Sequence, residues 1–437
     1  MIMKHLRVLV FLLLASSSGL FSQCPNLPFS LPDSVCPGLP VTINNGSSIS
    51  SSWSWDFSLG DLNLTPTISS ISGGGSLNYP AQIKLIEEGG EFFGFVPNSG
   101  TNYITRYDFG NSPANTPTIV NLAADPIFSG FAYCIEMVKE NNKWIGFLSL
   151  FTSGKIVRLE FDSIKQTNPL ITDLGSTNLA GPFSIKIVND YLFVTNQLTE
   201  ISRFTFNGSY LNSPTPLLPN IQTGNFNNAG IEIVYDCQSG NYTGFVSSLA
   251  SDRIDRIDFG TSLANTPTVT PLVNMTDPNG ISVIREGNQW HLFTVTENNR
   301  LFHYTFADGP GSSLQYDYDS DFGGAFSGPK NLQFTKLNSE WHGIISNTLL
   351  FALRRLTFPA GNPNASPFFS SSQSPSTLQY SSGTSGAQYI ELTERYADGS
   401  TATFIDSTVV AILPPAADFT SSSGCLGRSV DFTDQST

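Results

Sequence analysis

Charge is scarce in this 437-residue chain, where only 13% of residues are Asp, Glu, Lys or Arg, about half the share usual in soluble domains. Basic residues are the scarcer sign, 21 Lys and Arg against 35 Asp and Glu, for a formal net charge of -14. No basic cluster interrupts that balance, so a nucleic-acid partner is excluded on electrostatic grounds. The five cysteines include no CxxC pair, and His291, His303 and His342 do not complete a four-ligand zinc set. Past Ser22 no apolar run reaches the roughly 18 residues of a membrane helix. Stretches of helical period are missing too, which rules out an all-α fold.

What is present is turn chemistry: Gly 37, Pro 27 and long Ser, Thr and Asn stretches separate short apolar-alternating segments, the pattern of an all-β chain. The first 22 residues run from a basic start (Lys4, Arg7) through an apolar core, Val8 to Ala15, to small residues ending at Ser22. That is the layout of a signal peptide, so the mature chain is expected to be secreted or at the cell surface, and not membrane-spanning. Of the five cysteines left after cleavage, Cys24 and Cys36 are the pair expected to be cross-linked. They lie twelve apart in a turn-rich segment where a bridge offsets chain entropy.

A four-residue signature, basic then apolar then Asp, Glu or Thr then Phe, recurs six times and ends at Phe109, Phe161, Phe206, Phe259, Phe306 and Phe358. The basic residue is Arg106, Arg158, Arg203, Arg256, His303 and Arg355 in turn. A second column, Phe95, Phe147, Phe193, Phe245, Phe293 and Ile344, stands 13 or 14 residues before each Phe. Three residues before that column an aromatic occurs in five copies, Phe92, Trp144, Tyr242, Trp290 and Trp341, but the third copy has Asp190 there with Tyr191 beside it. Units of about 50 residues with four short strands have the make-up of propeller blades, and six units imply a six-bladed β-propeller. The period of two puts Phe on the packing face and Arg with its acidic neighbour on the other, where a solvated ion pair is expected. Trp55-Asp56-Phe57, followed by Thr65-Pro66-Thr67-Ile68, repeats the end of a unit without its beginning. A segment before the first full unit is therefore expected to supply the ring's last strand or to belong to a neighbouring domain.

Phe29 to Phe57, with Cys36-Pro37-Gly38 and Trp53-Ser54-Trp55-Asp56-Phe57, resembles the first half of a PKD (polycystic kidney disease) domain, an Ig-like sandwich of exported bacterial proteins. Tyr380 to Ile412, with Gly386-Ala387-Gln388-Tyr389-Ile390-Glu391-Leu392-Thr393, resembles the second half, and Ala417 to Asp434 resembles the opening of another. The arrangement is similar to PKD-and-propeller surface proteins of Bacteroidetes-type bacteria, with NHL-like repeats inserted in a split PKD domain. The leader layout gives a signal peptide over 1–22 and the repeat a propeller over 62–372, while the resemblance implies sandwich halves over 23–61 and 373–413 and a truncated PKD domain over 414–437.

No nucleophile elbow, HExxH, Walker A or dinucleotide loop is present, and Gly73-Gly74-Gly75 has no helix after it. Asp317, Asp319 and Asp321 alternate like the start of a calcium loop, but the Gly comes one place late and position twelve is Gly328. They are the one metal candidate, and a solvent-facing acidic strand is the favoured reading. No catalytic residue and no other cofactor is identified. The function expected from the sequence is a non-enzymatic extracellular protein whose propeller binds a protein or glycan, with PKD domains as spacers in an adhesive assembly. The alternative is a propeller hydrolase or lyase acting on extracellular polysaccharide, which requires acids or histidines from several blades to converge.

Overall fold

The computed structural model describes residues 27 to 435 apart from 48–49, 72–76, 102, 360, 362–363, 376–377, 397–400, 412–418 and 422–431. The apolar leader, Cys24, the Gly73-Gly74-Gly75 run, Cys425 and most of the final PKD-like stretch lie outside the described residues. The described elements are strands except for two short 3-10 turns, Asp61–Asn63 and Pro126–Gly130, so the protein is all-β. Among the described residues no helix is long and apolar enough to cross a membrane.

Each repeat folds into an antiparallel four-stranded sheet in chain order; in the second, Ala132–Glu140, Lys143–Leu150, Lys155–Phe161 and Leu170–Asp173 lie side by side. The third sheet carries a short extra strand, Ile221–Gln222. The inner strands are Lys84–Glu88, Ala132–Glu140, Pro182–Val188, Asn228–Asp236, Pro278–Glu286 and Pro329–Leu337; each touches the next, and the last touches the first. The sheets therefore surround one axis. The sixth takes its outer strand from far up the chain, Thr67–Ile71 pairing with Ala352–Thr357 so that Ile68 faces Leu356.

Packing between neighbours is aromatic. The second-strand ring of each sheet meets the signature Phe of the next: Phe95 to Phe161 at 5.9 Å, Phe147 to Phe206 at 5.0 Å, Phe193 to Phe259 at 5.5 Å, Phe245 to Phe306 at 5.4 Å and Phe293 to Phe358 at 5.9 Å. Ile344 and Phe109 share the cluster that closes the circle. Truncating a buried Phe of this kind to Ala costs about 3–5 kcal/mol.

The basic column corrects the expectation of a solvated pair. Arg106, Arg158 and Arg256 do bond their same-strand acids, Asp108, Glu160 and Asp258. Yet Arg106, Arg158 and Arg203 are buried, and each guanidinium reaches on to backbone carbonyls of the next sheet's loop between third and outer strands. Arg106 donates to Ile164 (2.9 Å), Arg158 to Leu211 (2.5 Å), Arg203 to Asn265 (2.7 Å), Arg256 to Gly311 (2.7 Å), and Arg355 back to Asn115 of the first sheet (2.6 Å). Only His303 breaks the series. The sheet after it is the sixth, whose third and outer strands are joined by no short loop, so there is nothing for an arginine to clasp.

That interrupted connection is where a second body sits. Ser52–Asp56 pairs with Gly386–Arg395, and Ser34–Val35 runs parallel to the end of Thr401–Val410. Phe29, Val41, Trp55 and Phe57 share one core with Leu378, Tyr380, Ile390 and Phe404. Ala365–Ser366 and Phe369–Ser370 join these sheets as well, so the second segment begins ahead of residue 373. The two chain crossings touch at Gly60 and Gly361, where a Cβ on Gly361 would lie 2.1 Å from the Gly60 carbonyl carbon. The expected Cys24–Cys36 bridge does not form, because Cys36 is a free thiol; Cys237 is the disulfide-bonded cysteine, and its partner lies outside the described residues.

Arg203 is buried without a carboxylate partner and donates to three carbonyls, of Leu263, Asn265 and Pro219. Arg203→Met is therefore expected to cost about 2–4 kcal/mol in urea unfolding at unchanged m-value, and the more exposed Arg256→Met less than about 2. Beside the crossing, Asp61 accepts a hydrogen bond from the Gly361 amide (2.5 Å), and burial, with Glu286 and Asp56 nearby, raises its pKa to about 8. A folded pKa above the ordinary 3.8 means that the stability this carboxyl lends is complete below that value and is lost as pH rises through about 8. Asp61→Asn should flatten the fall in Tm between about pH 4 and pH 8; an unchanged fall would show that another group causes it.

Candidate functional site

Superposing the inner strands by repeat puts Gln82, Cys134, Ser184, Gly230, Gly280 and Asn331 in one axial layer and Lys84, Glu136, Lys186, Glu232, Ser282 and Gln333 in the layer below. The lower layer neutralises itself, Lys84 pairing with Glu136 and Lys186 with Glu232. Burial works against the Lys186 charge, but Glu232 and Glu136 outweigh it and hold its pKa above the ordinary range. In the upper layer a Cβ on Gly280 would stand 2.5 Å from the Asn331 Cα, so only glycine lets the strands approach this closely. The cavity left is about 20 Å³, room for a single water. At the level of these two layers the axis is filled core with no space for a substrate. At its mouth, where the inner strands begin, Glu297 is held by Lys330 and by Asn279 Nδ2 (2.9 Å).

A larger cavity, about 480 Å³, lies off the axis on the face where the inner strands end. It is lined from three sheets: Glu140 ends the second sheet's inner strand, Asp190, Tyr191 and Tyr210 belong to the third sheet, and Tyr242 and Leu263 to the fourth. Its origin is a departure from the repeat. In two other sheets the acid ending an inner strand accepts the indole N–H of the next sheet's second strand, Glu88 from Trp144 (2.9 Å) and Glu286 from Trp341 (2.8 Å), while Asp236, which ends the fourth, accepts from Gln238 and Ser239 instead. Glu140 has no indole to meet, because the third repeat carries Asp190 at that position, and the missing ring is the cavity. Glu140 Oε2 instead accepts from Tyr210 N (2.9 Å) and Ser209 Oγ (3.1 Å).

Asp190 is fixed as firmly, accepting from Gly208 N (2.8 Å) and Thr205 Oγ1 (2.5 Å). Tyr210 donates its hydroxyl to the Asn189 carbonyl (2.8 Å), and Asn189 Nδ2 donates to Tyr242 Oη (3.0 Å). Burial raises the phenol pKa of both tyrosines, with Asp190 and Glu140 adding to the effect at Tyr210, so both are neutral hydroxyls at physiological pH. Two anchored carboxylates, three aromatic walls and no Lys, Arg or His in the lining make a site for a neutral ligand with apolar faces and hydroxyl edges.

The residues singled out in the sequence lie elsewhere. Asp317, Asp319 and Asp321 do not converge. Asp319 pairs with Arg300, Asp317 accepts from Thr305 (3.3 Å), and Asp321 accepts the Gly323 amide (3.0 Å). Among the described residues no three His, Cys, Asp or Glu side chains are grouped to hold a metal ion. His291 finds a partner in His303, Nδ1 to Nε2 at 3.0 Å, within a ring stack that includes Phe293. Glu140 and Asp190 were not picked out from the sequence, although the departure of the third repeat, visible there, was the signal.

No family model matches the chain, and no curated protein does. Solved structures align with it coarsely. The catalytic domain of a Coprinopsis cinerea GH62 alpha-L-arabinofuranosidase is 13% identical with a TM-score of 0.40 over 71% of this chain and 98% of its own. A GH43_1 enzyme from Xanthomonas citri is 10% identical with a TM-score of 0.39, over 79% and 96%. The RS223 beta-xylosidase is 10% identical with a TM-score of 0.37, over 57% and 98%. At these values the likeness gives no residue of this chain a role. The expectation of a non-enzymatic adhesive protein is nonetheless corrected, since the structures that align are those of enzymes, and it is not carried further.

Burial lowers the pKa of His291 to about 3, of His303 to about 2 and of His342 to about 4. Depressed folded pKa values mean that stability is complete above the ordinary 6.5 and drains away as pH falls toward them. The Tm is expected to drop steeply between about pH 6 and pH 4, and the double change His291→Leu, His303→Leu to reduce that drop. An equal drop in the double variant would assign it to other groups.

Proposed function

We propose that this chain is an exported, carbohydrate-active six-bladed β-propeller that interrupts a PKD-like sandwich, and that it hydrolyses a neutral polysaccharide or oligosaccharide. One observation carries the reading: the single repeat that lacks its aromatic leaves a cavity with Glu140 and Asp190 fixed on its wall between Tyr191, Tyr210 and Tyr242. Tyrosine faces pack against the apolar faces of a pyranose, and carboxylates accept its hydroxyls. Glycoside hydrolysis draws its general acid and its base or nucleophile from such a carboxyl pair. The absence of a cation from the lining favours hydrolysis of a neutral sugar over elimination at an acidic one, since nothing there would neutralise a uronate.

Reducing-end release from a panel of xylan, arabinan and mixed-linkage glucan tests this. Glu140→Gln and Asp190→Asn are each expected to lower kcat about 10²-fold or more with Tm unchanged. Asp190→Trp, which restores the repeat's ring, should close the cavity and abolish sugar binding. Hydrolysis that survives in the Glu140→Gln, Asp190→Asn double variant, or no turnover of any glycan by the native chain, would sink the proposal.

A further inference from the structure

The opposite face of the ring carries aromatic side chains where the backbone disfavours them. In five repeats the residue just before the inner strand, and in the first the residue before Pro80, which bridges to Asn98 ahead of the strand, has a left-handed conformation: Phe131, Gly181, Asn227, Asp277 and Gly328, and Tyr79, with φ between 49° and 64°. Gly, Asn and Asp are the residues that accept such a φ, and bulky aromatics are outliers there. Phe351, in the sixth sheet's loop between second and third strands, repeats the anomaly with φ 48°.

The three side chains gain no burial from this. Tyr79 is 44% exposed, Phe131 41% and Phe351 45%, and Phe226 and Leu349 on the same face are exposed too. They form two groups on this face: the Tyr79 and Phe351 rings meet edge-on at 5.1 Å, and Phe131 leads through Phe151 (6.2 Å) to Phe183 (4.7 Å further). Backbone strain borne by residues that add nothing to the core marks a functional surface.

The loops around these rings select the occupant. The six connections between second and third strands span 98–103, 151–154, 197–199, 249–252, 297–299 and 348–351. They contain no Lys or Arg; Asp252 and Glu297 are their only charged residues, and the remainder are mostly hydroxyl, amide, glycine and apolar residues. An anionic lipid surface or an acidic glycan calls for basic residues, which these loops lack. Aromatic faces set among neutral hydrogen-bonding groups fit a neutral polysaccharide chain.

We propose that Tyr79, Phe131 and Phe351 form a second carbohydrate surface, on the face away from the cavity, that holds a neutral polysaccharide while the cavity acts on it. This rests on the reading of the chain as carbohydrate-active, but not on Glu140 or Asp190 being catalytic. The test is co-sedimentation of the chain, as mature protein, with insoluble xylan and with cellulose, using the triple variant Tyr79→Asn, Phe131→Asn, Phe351→Asn. Asparagine suits the left-handed backbone, so the triple variant should keep or raise its Tm.

It is expected to lose at least tenfold in sedimented fraction while turnover of soluble oligosaccharide stays unchanged. The Glu140→Gln, Asp190→Asn variant should sediment like the native chain. Equal sedimentation of the triple variant, or failure of the native chain to bind either polysaccharide, would overturn the proposal. So would native chain that floats with phosphatidylserine vesicles, or native dimers that the triple variant dissolves, because either outcome assigns the rings to a lipid or to a second copy. Loss of oligosaccharide turnover in the cavity variants alone concerns the hydrolase reading and leaves the surface intact.

Discussion

The ring depends on one contact made over and over: a guanidinium that leaves its own sheet to hydrogen-bond the loop carbonyls of the next. Aromatic stacking supplies most of the buried area between sheets, but stacking is tolerant of small slides. A planar fork with donors at fixed angles is not. Five arginines therefore set the angular step from sheet to sheet, and each satisfies carbonyls that a loop tip would otherwise leave to water. The exception is informative. His303 stands where the following connection is occupied by a whole second body, and its ring is absorbed into the Phe293 stack instead.

The repeat was legible because strand period fixes faces: six phenylalanines at one phase have to pack, and they do. The origin of the sixth outer strand was legible as well, since Thr67-Ile68 matches the end of a unit whose beginning is missing. The purpose of the arginines was not, because their partners lie 53 to 62 residues on, or in one case 240 back, in loops whose backbone, not side chains, makes the contact. Burial of His303 beside His291 was equally hidden, being a cross-strand register fact. The cavity shows a third kind of gap. Asp190 stands out as an irregularity, but what it does follows only once Glu140 of the preceding sheet is seen to lack the indole that Glu88 and Glu286 have.

Electrostatics divides the molecule by burial. Along the axis charge is cancelled pair by pair, which suits a region with almost no water, since an unpaired ion there would be destabilising. At the junction the cancellation is incomplete, with Lys336 between Asp56 and Glu391 and two further carboxyls, Asp61 and Glu286, pushed toward protonation by burial. The tyrosine cavity differs from both, because its carboxylates are held by loop amides and hydroxyls and not by cations.

The parallel pairing of Ser34–Val35 with Val409–Val410 has a mechanical meaning. A pull applied along the backbone on the leading side of Ser34 and the trailing side of Val410 draws two parallel strands past one another, so their hydrogen bonds are loaded together in shear and not unzipped singly. Because both crossings into the ring emerge from that same body, tension is borne there first. The six sheets hang from the line of force as a side load, and their loops keep their spacing while the chain is under strain.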